Sequence, residues 1–316
     1  MSSLLYRPRL LDQVRCQKRG GGTSPAWVAQ PSRYIRNHNP APQARMNRSK
    51  QFETNAFVIY SHLNGHLSTD RPASEPPVFV ALQGPQGSGK TCLTERVREL
   101  LTQHDEDHVP YLVATLSIDD LYLPHSQLKA LASAHPDNPL LRGRGLPGTH
   151  DVSLGLSVLR SLKEINRPGS NEVRIPRFDK SLCDGEGDRL PESEWTSIRG
   201  PLDVVLLEGW CVGFYPQSRQ YIESRMNQVP FGLEGTFDIS AYSLENVLDV
   251  NERLAEYIKW WDLFDICVQV CNHFFSHYLL PECLLHIGGI GFARFLPNPL
   301  LRTYPYTNGA YNRNMK

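Results

Sequence analysis

The chain has 316 residues, 40% of them hydrophobic, with 33 Lys plus Arg against 33 Asp plus Glu. That is enough for one α/β domain with a large core plus extensions, and the balanced charge offers no general attraction to nucleic acid or membrane. No apolar run approaches the roughly 20 residues of a spanning helix, and seven scattered cysteines (16, 92, 183, 211, 267, 271 and 283) fit a reducing compartment better than a disulfide framework.

Residues 1–50 hold ten Lys or Arg against one acid, Asp12, together with Gly20-Gly21-Gly22 and several prolines. Such a stretch reads as a disordered basic extension, or as an upstream start ahead of Met46. The composition also fits a mitochondrial presequence, although Pro8 interrupts the helix such a signal needs. Without a presequence the expected location is the cytoplasm, with the nucleus also open. Phe57–Leu63 predicts a short helix. The proline-rich linker Thr69–Pro77 then leads into a buried strand, Val78-Phe79-Val80-Ala81-Leu82.

That strand runs directly into Gly84-Pro85-Gln86-Gly87-Ser88-Gly89-Lys90-Thr91, followed by a helix expected over Thr91–His104. This is the G-x-x-x-x-G-K-[ST] phosphate loop in its proper context, with a strand before it and a helix after it. Glycines let successive N–H groups turn inward, and the helix offers its positive end to phosphates. Lys90 is suited to the β- and γ-phosphates and Thr91 to Mg²⁺. ATP and Mg²⁺ are therefore the expected cofactors.

A second strand, Tyr111–Ser117, ends in Ile118-Asp119-Asp120-Leu121-Tyr122. Ligands of parallel α/β sheets sit at the carboxyl ends of strands, so Asp119 and Asp120 are placed to hold a metal-bound water or take a hydroxyl proton. Capping the next helix is the plainer role. The Gly- and Pro-rich loop from Asn138 to Asp151 collects Arg142, Arg144 and His150, and a binding loop accounts for that composition. His150-Asp151 can also cap the helix expected over Val152–Ile165. Val173–Lys180 reads as a short strand or edge segment carrying Arg177 and Lys180. Asp184-Gly185-Glu186-Gly187 matches the D-x-x-G of switch GTPases, but no N-K-x-D motif accompanies it, so a loop is expected.

Asp203–Trp210 is the best buried strand, and its apolar run ends in Glu208, the position of a metal-associated acid beside a phosphate loop. Leu244–Tyr257 has helical periodicity, and Phe264–Val270 reads as the last strand. Cys267, Cys271, His273 and His277 fit a zinc cluster poorly, because two of them lie on or at the end of that strand. From Cys271 to Lys316 no period is evident.

Five segments occur in an order that resembles one family: Gly84–Thr91, Ile118–Leu123, Arg144–Asp151, Ile175–Ser181 and Leu207–Trp210. They resemble the D-glycerate 3-kinase group of plants and fungi, and most of all its fungal members of less certain substrate. That group lies among the uridine kinase, phosphoribulokinase and pantothenate kinase relatives. The similarity covers about Phe57 to Val270.

The resemblance implies an α/β P-loop NTPase of the nucleoside monophosphate kinase-like kind, with a parallel sheet flanked by helices. It implies ATP on the phosphate loop and a small-molecule alcohol opposite. Asp119 matches the acid that orients or deprotonates the acceptor hydroxyl, Glu208 the acid after the Walker B strand, and Lys90 and Thr91 the phosphate and Mg²⁺ ligands. Asp119 joins Thr91 and Glu208 as a candidate metal residue. On their chemistry, Arg142, Arg144, His150, Arg177 and Lys180 are candidates for the acceptor, since an Arg fork suits the carboxylate of a hydroxy acid. Asp120, Tyr122 and Asp151 complete that set.

The expected activity is ATP-dependent phosphorylation of D-glycerate or a related hydroxy acid. A nucleoside, pantothenate or sugar phosphate is the alternative acceptor. The expected division is a basic extension over 1–50, a kinase domain over 51–270 and an atypical tail over 271–316. In the relatives a basic lid follows the last strand. The tail lacks one, as a mispredicted exon boundary near Val270 would produce, and without a lid the protein would bind nucleotide without catalysis.

Overall fold

Sixteen elements build the described part of the chain, and the apolar runs explain the central ones. In a computed structural model the described residues are 42–67, 71–104, 109–170, 172–226, 241–270, 285–287 and 290–294. The chain divides into units Met1–Arg45 and Met46–Lys316; of the first, only 42–45 are described, as the start of a helix. In order come α1 (Pro42–Asn64), β1 (Val78–Gln83), α2 (Lys90–Thr102), β2 (Val113–Ser117), α3 (His125–Ala134) and α4 (Val152–Lys163). The short strands β3 (Glu172–Ile175), β4 (Phe178–Asp179), β5 (Asp188–Arg189) and β6 (Thr196–Arg199) follow. Then come β7 (Val204–Gly209), α5 (Arg219–Met226), α6 (Leu244–Trp261), β8 (Ile266–Val270), β9 (Leu285–Ile287) and β10 (Ile290–Arg294).

The main sheet has the order β2-β7-β1-β8-β10-β9, with the first four strands parallel and β10 and β9 added antiparallel. All of β7 and all but the first residue of β1 are buried, as expected of central parallel strands covered on both faces. Ala56, Ile59 and Leu63 of α1 pack with Leu93, Val97 and Leu101 of α2 on one face. Leu159 and Leu162 of α4 and Tyr257, Trp260 and Trp261 of α6 cover the other. The chain therefore folds as an α/β P-loop protein with a parallel sheet flanked by helices.

Several elements differ from the sequence-based expectation. The helix expected over Phe57–Leu63 is the end of the 23-residue α1, which also crosses the boundary expected at residue 50. α6 continues past Tyr257 to bury Trp260 and Trp261, starting from a capping box between Ser243 and Asn246. The segment at 173–180 is two strands, because Pro176 offers no N–H to a ladder. β3 pairs with β6 and β4 with β5. α3 is the helix expected, without bounds, after Asp120, and α5 was not anticipated. The D-x-x-G segment is a tight turn with positive φ at Cys183 and Asp184. Cys267 faces the core from β8, whereas Cys271, His273 and His277 lie outside the described residues. Beyond Val270 the described tail residues are those of β9 and β10. No helix among the described residues is long and apolar enough to cross a membrane.

One close contact fixes the α4–α6 packing. A Cβ on Gly155 would lie 2.2 Å from Trp260 Cζ2, and the Trp260 ring is fully buried with Nε1 donating to Val152 O at 2.9 Å. Gly155→Val is expected to destabilise the fold by about 2–3 kcal/mol through overpacking. Urea unfolding measures this, and an unchanged midpoint would mean that the two helices separate freely.

Candidate functional site

The sheet register assembles the site. Gln83 at the end of β1 is level with Gly209, and Ser117 at the end of β2 is level with Glu208. The phosphate loop, Glu208 and Asp119 thus emerge from the carboxyl edge of three adjacent parallel strands, where such sheets bind ligands.

At the nucleotide end, Gly87 and Gly89 have φ of 75° and 82°, a left-handed conformation that turns the loop into α2. Ser88 N–H donates to Pro85 O at 3.2 Å, and Leu93 N–H to Gly89 O at 2.9 Å. Pro85 and Gln86 are exposed on the rim, and Gly84 N–H donates to Gly209 O at 3.3 Å. Thr91 Oγ1 donates to Glu208 Oε1 at 3.1 Å, and Lys90 Nζ stands 4.0 Å from Glu208 Oε2. Glu208 Oε2 and Ser88 Oγ are buried without a hydrogen-bond partner among the described residues. A buried carboxylate oxygen and a hydroxyl in this state are costly unless a ligand satisfies them. Hard oxygens beside a phosphate cradle fit Mg²⁺, which is bound through few protein ligands with phosphate and water completing the shell.

At the other end, a 3-10 turn over Ile118–Leu121 carries Asp119, whose N–H donates to Ser117 Oγ at 3.3 Å. Lys180 Nζ donates to Asp119 Oδ2 at 2.5 Å, and the Tyr122 hydroxyl also bonds this carboxylate. Burial pushes the Asp119 carboxyl up, but the Lys180 ammonium and the Tyr122 hydroxyl outweigh it and hold it below the usual range. Asp119 thus partners Lys180, whereas Thr91 partners Glu208. Asp120 is raised, first by burial, and its Oδ1 accepts the Phe178 N–H at 3.2 Å, which fixes β4.

The loop that carries the arginines is held by its own polar groups. Thr149 is fully buried, donating to Leu146 O at 2.7 Å and accepting the Gly145 N–H at 3.1 Å. Trp210 Nε1 donates to Gly145 O at 3.0 Å. Asp151 caps α4 through Leu154 N–H and accepts Arg189 Nη1 at 3.0 Å. Arg144 donates to the carbonyls of Gly185 and Glu186 and lies 5.8 Å from the Phe178 ring centroid. Arg142 donates to Pro136 O at 3.1 Å. Arg142, Arg144, Asp120 and Asp151, expected at the acceptor, each have a structural partner in the fold. Arg177 is exposed; its carbonyl accepts the Leu190 N–H at 2.8 Å, while its guanidinium makes no hydrogen bond or ion pair among the described residues and acts on Asp120 and Asp179 only through its charge.

His150 is buried, with its ring stacked on Tyr122 at 4.4 Å between centroids, and Nδ1 lies 2.8 Å from the Tyr257 hydroxyl. Burial drives the imidazole down to about 3 despite the opposing pull of Asp119, so it is neutral at physiological pH. Arg189 and Tyr257 were missed from sequence. Arg189 Nη2 holds Tyr122 O at 2.7 Å while Nη1 holds Asp151, which laces the two acceptor segments together. Neither residue lies in a motif, and no local signal marks them.

No protein-family model matches the chain. A solved D-glycerate 3-kinase from Cryptococcus neoformans is 35% identical, with a TM-score of 0.57, covering 70% of this chain and 72% of that one. The chain is 31% identical over 191 residues to the chloroplastic D-glycerate 3-kinase of Arabidopsis thaliana, covering 60% of this chain and 41% of the relative. It is 35% identical over 196 residues to a Schizosaccharomyces pombe protein named "Uncharacterized kinase mug58", covering 61% and 64%. The chain therefore spans less than two thirds of the length of these two curated relatives.

Proposed function

The chain belongs to the family of the D-glycerate 3-kinases and their fungal kinase relatives, and from that premise we propose that it phosphorylates the hydroxyl of a small hydroxy acid with ATP, D-glycerate first. One observation carries the proposal. Glu208, with its unsatisfied oxygen, and Asp119, with its lysine, stand at the same edge of neighbouring strands beside a complete phosphate loop. That juxtaposition supports reading them as a donor site and a base for an alcohol.

Lys90 and the loop N–H groups hold the β- and γ-phosphates. Thr91 and Glu208 would hold Mg²⁺, which when bound would supply positive charge to offset the phosphate oxygens. An alkyl alcohol stays protonated at neutral pH, so Asp119 takes its proton while the hydroxyl oxygen bonds to the γ-phosphorus and the bond to the ADP oxygen breaks. The proton resides on Asp119 and ADP leaves. Lys180, released from the neutralised Asp119, turns to the new phosphate monoester. Arg177, whose exposed guanidinium makes no hydrogen bond among the described residues, offers a fork to the substrate carboxylate. The compartment we propose is the cytoplasm, on the scattered cysteines of the sequence.

Coupled ADP release over an acceptor panel, with and without EDTA, tests the proposal. Turnover of D-glycerate that EDTA abolishes is expected. Turnover of a nucleoside, pantothenate or a sugar phosphate in its place would replace the substrate. ATP binding with no acceptor turned over would overturn the enzyme.

A further inference from the structure

Hydrogen-bond accounting around Tyr257 assigns a role to His150. The Tyr257 oxygen accepts the Gly148 N–H at 2.9 Å. A phenol oxygen has two acceptor positions and one proton to give. Among the described residues His150 Nδ1, 2.8 Å away, is the one acceptor this hydroxyl meets, so the proton goes there; the opposite tautomer would leave both the hydroxyl proton and Nε2 unsatisfied. The imidazole is neutral, so its own proton must then sit on Nε2. That atom is buried and has no partner among the described residues. An N–H donor left in this state costs stability, and a ligand oxygen or an ordered water repays it.

The ring that carries this donor stacks on Tyr122, whose hydroxyl bonds Asp119, and it feels the Asp119 charge. We propose that His150 Nε2–H is a hydrogen-bond donor to an oxygen of the acceptor substrate, a hydroxyl or carboxylate oxygen close to the hydroxyl that is phosphorylated. This rests on the kinase assignment and adds a requirement to it. The acceptor must present a lone pair at that point, and an N–H or ammonium group there meets a donor and is rejected. Trp260, packed against Tyr257 at 5.1 Å between ring centroids, helps keep the hydroxyl in place, so the tautomer is set by the core and not by the ligand.

The tautomer is read from the two-bond ¹H–¹⁵N spectrum of the His150 ring in the ligand-free protein, then again with D-glycerate added. Nε2 protonation is expected, with the Nε2–H signal moving on saturation. Two variants add a functional readout. His150→Asn keeps an acceptor for the Tyr257 hydroxyl but has no outer N–H, whereas His150→Gln places an amide N–H near the Nε2 position. The Asn variant is expected to lose about 100-fold in kcat/KM for glycerate, and the Gln variant to recover at least about tenfold of that, with ATP affinity within about twofold in both. Nδ1 protonation overturns the inference. So does an Nε2–H signal that stays still in a protein that phosphorylates glycerate, and so does an Asn variant as active as the wild type. Absence of turnover on every acceptor removes the kinase assignment and with it the ligand of Nε2–H. The tautomer, measured without ligand, stands or falls separately.

Discussion

Asp119→Asn is expected to lower phosphoryl transfer to glycerate by about 10²–10⁴-fold, the usual worth of a positioned base, and to leave ATP affinity within about twofold. The two outcomes separate because Asp119 bonds Lys180 and Tyr122, while the nucleotide-facing groups Lys90 and Thr91 partner Glu208. Asn has the same shape as Asp and can still accept from Lys180, so the fold keeps its geometry at a partly exposed position. What it lacks is the capacity to take the alcohol's proton. Steady-state ADP release gives the rate, and calorimetry with ATP gives the affinity. Wild-type turnover in the variant would reduce Asp119 to a positioning group. A parallel loss of ATP affinity would move it into the nucleotide site, as the expectation of a metal-binding Asp119 requires.

The donor half of the site was legible in the sequence because every signal in it is local. An apolar run of five, a glycine pattern and a following helix fall within 30 consecutive residues, and the next acids stand directly after apolar strands. The structure sets those strand ends level, and no further information was needed. The acceptor half depends on pairs that are distant in sequence. Lys180 meets Asp119 across 61 positions, Arg189 meets Tyr122 across 67, and Tyr257 meets His150 across 107. Composition placed Arg142 and Arg144 in a binding loop. Folding instead uses Arg144 to hold the 183–187 turn, a demand of backbone carbonyls that no side-chain pattern records. His150-Asp151 shows both outcomes in adjacent residues. Asp151 caps α4 as its type suggests, while the donor character of His150 is set by a tyrosine on α6. The length of α1 was hidden for a related reason. Its buried residues Ala56, Ile59 and Leu63 lie near its end, and the preceding turns are polar and basic.

Glu208→Gln is expected to weaken Mg·ATP binding by about 100-fold, the upper end of what a residue behind a metal contributes. Its effect on the ligand-free fold is expected to be small, and the reason lies in the unliganded geometry. Glu208 is 6% exposed, its Oε2 has no hydrogen bond among the described residues, and Lys90 stands 4.0 Å away, too far for a direct one. A buried carboxylate held so loosely carries a desolvation penalty that its single bond from Thr91 does not offset. Gln keeps an oxygen for Thr91 and removes that penalty, while Lys90, on a flexible stem, can turn its ammonium to water. Arrival of metal and nucleotide would reverse the balance, because the anionic oxygen that is unsatisfied among the described residues would then meet a cation. At a ligand concentration 100 times the wild-type Kd, Mg·ATP stabilises the wild type by about 2.7 kcal/mol, and a 100-fold weaker variant by about 0.4 kcal/mol. Thermal unfolding with and without Mg·ATP reads this difference directly, and ATP with EDTA should shift both proteins equally. An undiminished Mg·ATP shift in the variant would place the metal away from Glu208. A large fall in stability without ligand would make Glu208 a structural partner of Lys90 before anything else.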